Sequence, residues 1–205
     1  MKGIKNLIID LGGVIINLNR LRCIEAFESL GVLDVRDLIV NNYLQKDLFM
    51  QIELGTISSA EFRDGIRLHT SQVITDDQID AAWISMLEDI PSYKLDLLLD
   101  LQKSYNTFLL SNTNEIHWQW VENNEFSNQG HQVKDFFHKV YLSYQLNLVK
   151  PDPTIFEYVM KDAGIIPEET LLIDDAVPNC RAAETLGIQT YTPEAREDWS
   201  HIFTE

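Results

Sequence analysis

Four short apolar runs, each ending on polar residues, constrain this chain more than any other feature. Ile4-Lys5-Asn6-Leu7-Ile8-Ile9 ends in Asp10, and Thr107-Phe108-Leu109-Leu110 leads into Ser111-Asn112. Lys139-Val140-Tyr141-Leu142 leads into Ser143, and Thr170-Leu171-Leu172-Ile173 into Asp174-Asp175. Continuous β-prone runs of this kind suit a parallel sheet buried on both faces. Residues 189–192 add a shorter fifth candidate. Helical patterns alternate with the runs at residues 93–101, 154–160 and 179–186, the last closing at Gly187, a C-terminal cap. Strand–helix alternation predicts an α/β fold with a doubly wound, mainly parallel sheet. Ligands of such sheets bind outside the carboxyl ends of the strands, where Asp10, Ser111 and Asp174-Asp175 all fall.

The gap between the first run and the second is too long for one crossover, at about ninety residues. Most of it reads as helix. Ser58-Ser59-Ala60-Glu61 and Thr75-Asp76-Asp77-Gln78 are capping boxes. Leu21, Ile24, Ala26, Phe27 and Leu30 recur at helical spacing, and residues 38–54 form a further helical candidate. The expectation is an α/β core of residues 1–16 and 86–205, with residues 17–85 inserted as an all-helical cap over the strand ends. A cap of that kind can close a site and exclude water.

Composition excludes several function classes. With 16 Lys plus Arg against 32 Asp plus Glu, the formal net charge is −16. Such a chain repels nucleic acid and anionic membrane, and it carries no basic cluster. An acidic protein that binds phosphate must build positive charge locally, from a metal ion, a lysine or backbone N–H groups. No run reaches the roughly 20 apolar residues of a membrane helix. The first apolar run stops at Asp10, too soon for a signal peptide, so a cytoplasmic protein is expected. Cys23 and Cys180 form no Cys-x-x-Cys pair and read as free thiols. No nucleic-acid or membrane partner is expected, and the protein itself would be a monomer or small homo-oligomer.

Taken in chain order, Ile9-Asp10-Leu11-Gly12-Gly13-Val14, Leu110-Ser111-Asn112-Thr113-Asn114, Val149-Lys150-Pro151-Asp152-Pro153 and Ile173-Asp174-Asp175 with Asn179 and Leu186-Gly187-Ile188 resemble the haloacid dehalogenase superfamily. The resemblance spans essentially the whole chain. Its wording looks closest to the α-D-glucose-1-phosphatase-like branch. It implies a Rossmann-like core with a helical cap and a Mg²⁺-dependent phosphatase that works on a small phosphorylated metabolite through an aspartyl-phosphate at Asp10. It further implies that Asp10, the Gly12 carbonyl and the Asp174-Asp175 pair serve the metal, and that Ser111, Asn112 and Lys150 hold the phosphoryl group. The family pattern puts the direct ligand at the second acid of the pair; the residues themselves leave Asp174 and Asp175 both open. The chemistry suits the residue types, since magnesium takes oxygen ligands and offsets the repulsion between a phosphate dianion and a carboxylate nucleophile.

Gly12 departs from the wider pattern. Many relatives carry there a second Asp that protonates the leaving alcohol and then activates water, help worth about 10²–10⁴-fold. Glycine keeps the carbonyl but supplies no proton. The chain is then suited to esters that leave easily, such as sugar 1-phosphates, or is slow, or only binds a phospho-ligand. A metal-independent 2-haloacid dehalogenase is a further alternative. It too lacks the second Asp, but it has no use for two carboxylates at residues 174 and 175. His117 beside Trp118 and Trp120 reads as helix packing, and Arg63 and Arg67 as partners of Glu61 or Asp64 on one helix face.

Overall fold

The computed structural model describes residues 3–36, 48–127 and 130–203. Its strands are β1 (Asn6–Ile9), β2 (Asn106–Ser111), β3 (Lys139–Leu142), β4 (Thr170–Ile173) and β5 (Gln189–Tyr191). The helices before β2 are α1 (Arg20–Ser29), α2 (Leu48–Glu53), α3 (Ser59–Arg67), α4 (Asp76–Ile84) and α5 (Ser92–Gln102). Those after it are α6 (Glu115–Val121), α7 (Val133–Phe136), α8 (Ser143–Leu146), α9 (Pro153–Ala163) and α10 (Val177–Glu184).

All five strands run parallel in the order β3-β2-β1-β4-β5. The alternation of side chains explains why both faces had to be apolar. Leu7, Ile9, Leu109, Leu171 and Ile173 face a core shared with Leu95, Leu98 and Leu101 of α5. Ile8, Phe108, Leu110 and Leu172 face another, shared with Ile155, Phe156 and Val159 of α9 and Cys180 and Ala183 of α10. The doubly wound α/β sheet is therefore as expected. Strand bounds move by two residues at the start of β1 and by one at β2 and β5, within the ordinary fraying of element ends. Gly187 closes α10 in the left-handed conformation (φ 87°), with Ile188 N–H on Ala183 O and Gly187 N–H on Glu184 O.

Between β1 and α5 the named elements among the described residues are all helices, joined by turns and two isolated β-bridges. The capping boxes at Ser58/Glu61 and Thr75/Gln78 start α3 and α4. Of the candidate helix at 38–54, residues 48–53 are helical and 38–47 lie outside the described residues. These helices bury Cys23, Ile24, Phe27, Phe49, Ile52, Phe62, Ile66, Ile79 and Trp83 against one another. Leu21 does not share that face and stands exposed. The chain passes between this cluster and the sheet through two paired segments: Asn19 N–H donates to Met86 O, Glu88 N–H to Asn17 O and Asn17 N–H to Asp89 O. Arg63 pairs with Asp80 of α4 through two bonds of 2.7 and 2.8 Å rather than with Glu61, which caps its own helix. Arg67 pairs with Asp64 as expected, and with Asp76. Among the described residues no helix is long and apolar enough to cross a membrane. Cys23 and Cys180 are free and buried.

Candidate active site

The sheet register brings the first and last polar tips together. Ile9 stands opposite Ile173 in the β1–β4 pair, so the next residues, Asp10 and Asp174, emerge side by side. Asp10 N–H bonds Ile173 O at 2.9 Å and locks that juxtaposition. Lys150 comes in from the loop after α8. The residue is only 3% exposed, and its ammonium sits 2.9 Å from Asp10 Oδ1, 2.6 Å from Asp174 Oδ2 and 3.1 Å from Leu110 O. Those three acceptors use the three donors of an ammonium.

Asp174 is fully buried and saturated. Beyond Lys150 it accepts from Ala176 N–H at 2.9 Å and from the Asn179 amide at 2.9 and 3.0 Å. Asp175 is exposed on the opening side. Asp10, Asp174 and Asp175 can each offer an oxygen such that all three atoms lie within 4.8 Å of one another. That is a hard, all-oxygen set of the size one small divalent cation takes, so the residues fit magnesium.

The electrostatics follow from three carboxylates around one ammonium. Burial pushes the Asp10 carboxyl up to about 7; Lys150 pulls it down, while Asp174 and Asp175 push it further up. Burial also raises Asp175, with Asp174 adding to it and Lys150 and Arg20 opposing. Burial alone would lower Lys150, but Asp10 and Asp174 outweigh it and hold the group protonated. A cation in this cluster relieves an excess of negative charge.

A model of haloacid dehalogenase-like hydrolases matches residues 4–187. The chain belongs to that family. A D-ribitol-5-phosphate phosphatase of Bacteroides thetaiotaomicron is 38% identical over 201 residues, 98% of this chain and 97% of that protein. A HAD family enzyme of Bacteroides thetaiotaomicron, solved in complex with magnesium and inorganic phosphate, is 54% identical with a TM-score of 0.94, covering 98% of this chain and 100% of that one. A predicted HAD-like family hydrolase of Porphyromonas gingivalis is 37% identical with a TM-score of 0.91, covering 99% of each chain. This HAD-like hydrolase is a phosphatase.

The other expected site residues fall as follows in the hydrolase. Ser111 ends β2, buried, its hydroxyl in a long contact of 3.4 Å with Asn112 O. The Asn112 side chain turns to the main chain of Lys150, donating to its carbonyl and accepting from its N–H, each at 2.9 Å. It thus anchors the loop that delivers the ammonium. That loop contains a cis Lys150–Pro151 bond and ends where Asp152 caps α9, accepting from Thr154 N–H at 2.9 Å. Gly12 follows Asp10 in a turn tied by Gly13 N–H to Ile16 O and by Ile15 and Ile16 N–H to Leu11 O. Leu18 fills the space a Gly12 side chain would need: a Cβ there would meet Leu18 Cδ1 at 3.0 Å.

Sequence reading missed Gly13. Its φ is +77°, and a Cβ built on it would lie 2.3 Å from Asp175 Oδ2. Only glycine satisfies both demands; the doubled glycine was the signal. It also missed Ser143, whose oxygen accepts from Thr113 N–H at 2.9 Å and lies 2.6 Å from Glu53 O at the end of α2. Asn147 adds a bond to Leu54 O at 3.0 Å. These contacts dock the helical segment beside the β2 and β3 tips. His117 is a packing residue, stacked on Trp83 at 4.3 Å and donating to its carbonyl. Burial drops its pKa to about 4.

Proposed function

We propose that this phosphatase is Mg²⁺-dependent and hydrolyses a small sugar or polyol phosphate by way of an aspartyl-phosphate at Asp10. The observation that carries the reading is the three-carboxylate cluster at the strand ends, two of whose members, Asp10 and Asp174, grip the buried Lys150 ammonium. In this reading Asp10, the Gly12 carbonyl and Asp175 are the direct ligands. Asp174, whose oxygens already accept from Lys150, Asn179 and Ala176, would act from behind by fixing Lys150. Once bound, magnesium supplies Lewis-acid polarisation of the phosphoryl group and screens its charge from Asp10.

This chain's own groups do the rest. A carboxylate oxygen of Asp10 forms a bond to phosphorus as the ester oxygen–phosphorus bond breaks. Lys150 neutralises charge shared by Asp10 and the phosphoryl group, the Ser111 hydroxyl holds a phosphoryl oxygen, and the Asn112 side chain keeps Lys150 in place. Water protonates the departing alcohol, since Gly12 offers no acid. A second water then attacks phosphorus, releases phosphate and restores the Asp10 carboxylate. The helical segment 17–85 serves as the cap that closes over this chemistry, and its helices choose the substrate.

Full-length likeness to a pentitol 5-phosphate phosphatase ranks primary phosphate esters of small polyols ahead of the sugar 1-phosphates suggested by Gly12. The test is a phosphate-release screen over pentitol 5-phosphates, sugar 1-phosphates, sugar 6-phosphates and nucleotides, with Mg²⁺ or EDTA. Turnover is expected with Mg²⁺ only, and none in Asp10→Asn. Full activity in EDTA or in that variant overturns the mechanism. Gly12 also favours a second reading, a phospho-ligand binder, which the same screen reveals as Mg²⁺-dependent binding with no phosphate released over hours.

A further inference from the structure

The Leu11–Ile16 turn carries the Asp10 nucleophile at one end, and its Val14 carbonyl points away from the site into the protein. There it accepts two side-chain donors. Lys94 Nζ of α5 lies 2.5 Å from Val14 O, and Trp199 Nε1 lies 3.1 Å from it. Both donors are buried at 1% exposure, and Val14 is fully buried. No other buried ammonium outside the Lys150 cluster occurs among the described residues. A lysine placed in a core for packing alone would be replaced at no loss by an apolar residue. Burial lowers the Lys94 ammonium, with Asp198 and Glu197 opposing. The C-terminal segment that brings Trp199 also pairs Arg196 with Glu88 at 2.5 Å, beside the paired segments that lead into the helical insert.

We propose that Lys94 and Trp199 are positioning residues that clamp the Val14 carbonyl and thereby hold the Asp10–Gly13 backbone in the conformation that receives the metal ion and the phosphate. Neither touches the reacting atoms. Their effect passes through the turn: Val14 fixed from behind fixes the Gly13–Ile16 and Ile16–Leu11 bonds, and with them Gly12 and the close approach of Gly13 to Asp175. The inference deepens the phosphatase reading above and rests on it.

The test uses Trp199→Phe, which keeps the ring and removes the N–H, and Lys94→Met, which keeps most of the stem, both in the full chain. Amide hydrogen exchange in metal-free protein should quicken at Gly13, Ile15 and Ile16 and stay unchanged at Leu171 and Leu172 of β4. Calorimetric titration with Mg²⁺ should show binding about threefold to tenfold weaker for each variant, the scale of one lost hydrogen bond. Lys94→Met should do so without a fall in Tm, because it removes a buried charge. A structural role alone predicts the opposite: lower Tm, with exchange quickened equally in β4 and Mg²⁺ affinity unmoved. Unchanged exchange in the turn, or Mg²⁺ affinity within twofold of wild type in Trp199→Phe, overturns the clamp whatever Lys94→Met does. Absence of Mg²⁺ binding by the wild-type protein would count against the phosphatase mechanism instead, and the exchange data would still decide the clamp.

Discussion

Gly12 and Gly13 are adjacent, yet an added methyl group should have opposite consequences at the two positions. At Gly13 the backbone is left-handed at φ +77°, which costs an L-residue about 1–2 kcal/mol. The new Cβ would also stand 2.3 Å from Asp175 Oδ2 and 2.8 Å from its Cγ. The obstructing atoms are the end of an exposed side chain, so Asp175 can swing aside and the fold survives. Gly13→Ala should lower Tm by only about 2–8 °C, at 2–4 °C per kcal/mol for a chain of this size. Its Mg²⁺ affinity should fall about 100-fold or more, since a carboxylate ligand has been pushed off the ion. At Gly12 the φ is ordinary, and the nearest atom is Leu18 Cδ1 at 3.0 Å, a flexible methyl that can yield. Gly12→Ala should keep Mg²⁺ affinity within about threefold and lose under about 1 kcal/mol. Calorimetric Mg²⁺ titrations and thermal melts of the two variants check this directly. Equal Mg²⁺ affinity in Gly13→Ala and wild type, or equal damage at both positions, would refute the assignment of Asp175 as a direct ligand.

Other outcomes follow from the same cluster. Gly12→Asp should raise hydrolysis of alkyl phosphates with poor leaving groups, and adding Leu18→Ala should raise it further by clearing the contact at residue 12; steady-state kinetics on both would show no gain if the missing acid is irrelevant. Asp10 is held at about 7 against an ordinary 3.8, so the folded state binds more protons than the unfolded one between those values and loses stability as pH rises through them. Metal-free Asp10→Asn should therefore melt higher than wild type at pH 8, with the gap closing toward pH 5; a variant that melts lower at pH 8 contradicts the argument. His117 works in the reverse sense: its pKa of about 4 lies below the ordinary 6.5, and the stability it contributes is lost as pH falls through that window. The melting gap between wild type and His117→Asn should shrink with acidification. Lys150→Met strands two buried carboxylates and should cost about 3–5 kcal/mol at pH 8, read from denaturant unfolding, and less at pH 5.

Much of this protein was legible in its residues. The runs at 139–142 and 170–173 became strands with those bounds; the second is central and buried at every residue, which a continuous β-prone run records, whereas the first is an edge strand that leaves Lys139 exposed. The capping boxes marked α3 and α4, because a cap is a contact across three residues. The polar ends of the runs also marked where a site would lie.

What tertiary structure alone decided were the contacts between distant segments. Asp174 and Asp175 are indistinguishable as neighbours in a chain; they differ because Lys150 and Asn179 saturate one and leave the other toward solvent. Asn112 sits at the tip of β2 among residues expected to hold phosphate, but its amide is engaged by the main chain of Lys150, 38 residues away. Arg63 found Asp80 on the next helix instead of an acid on its own. Local pattern carries the backbone's own demands, whereas each of these choices is made by side chains that meet only after the sheet register and the helix packing have formed.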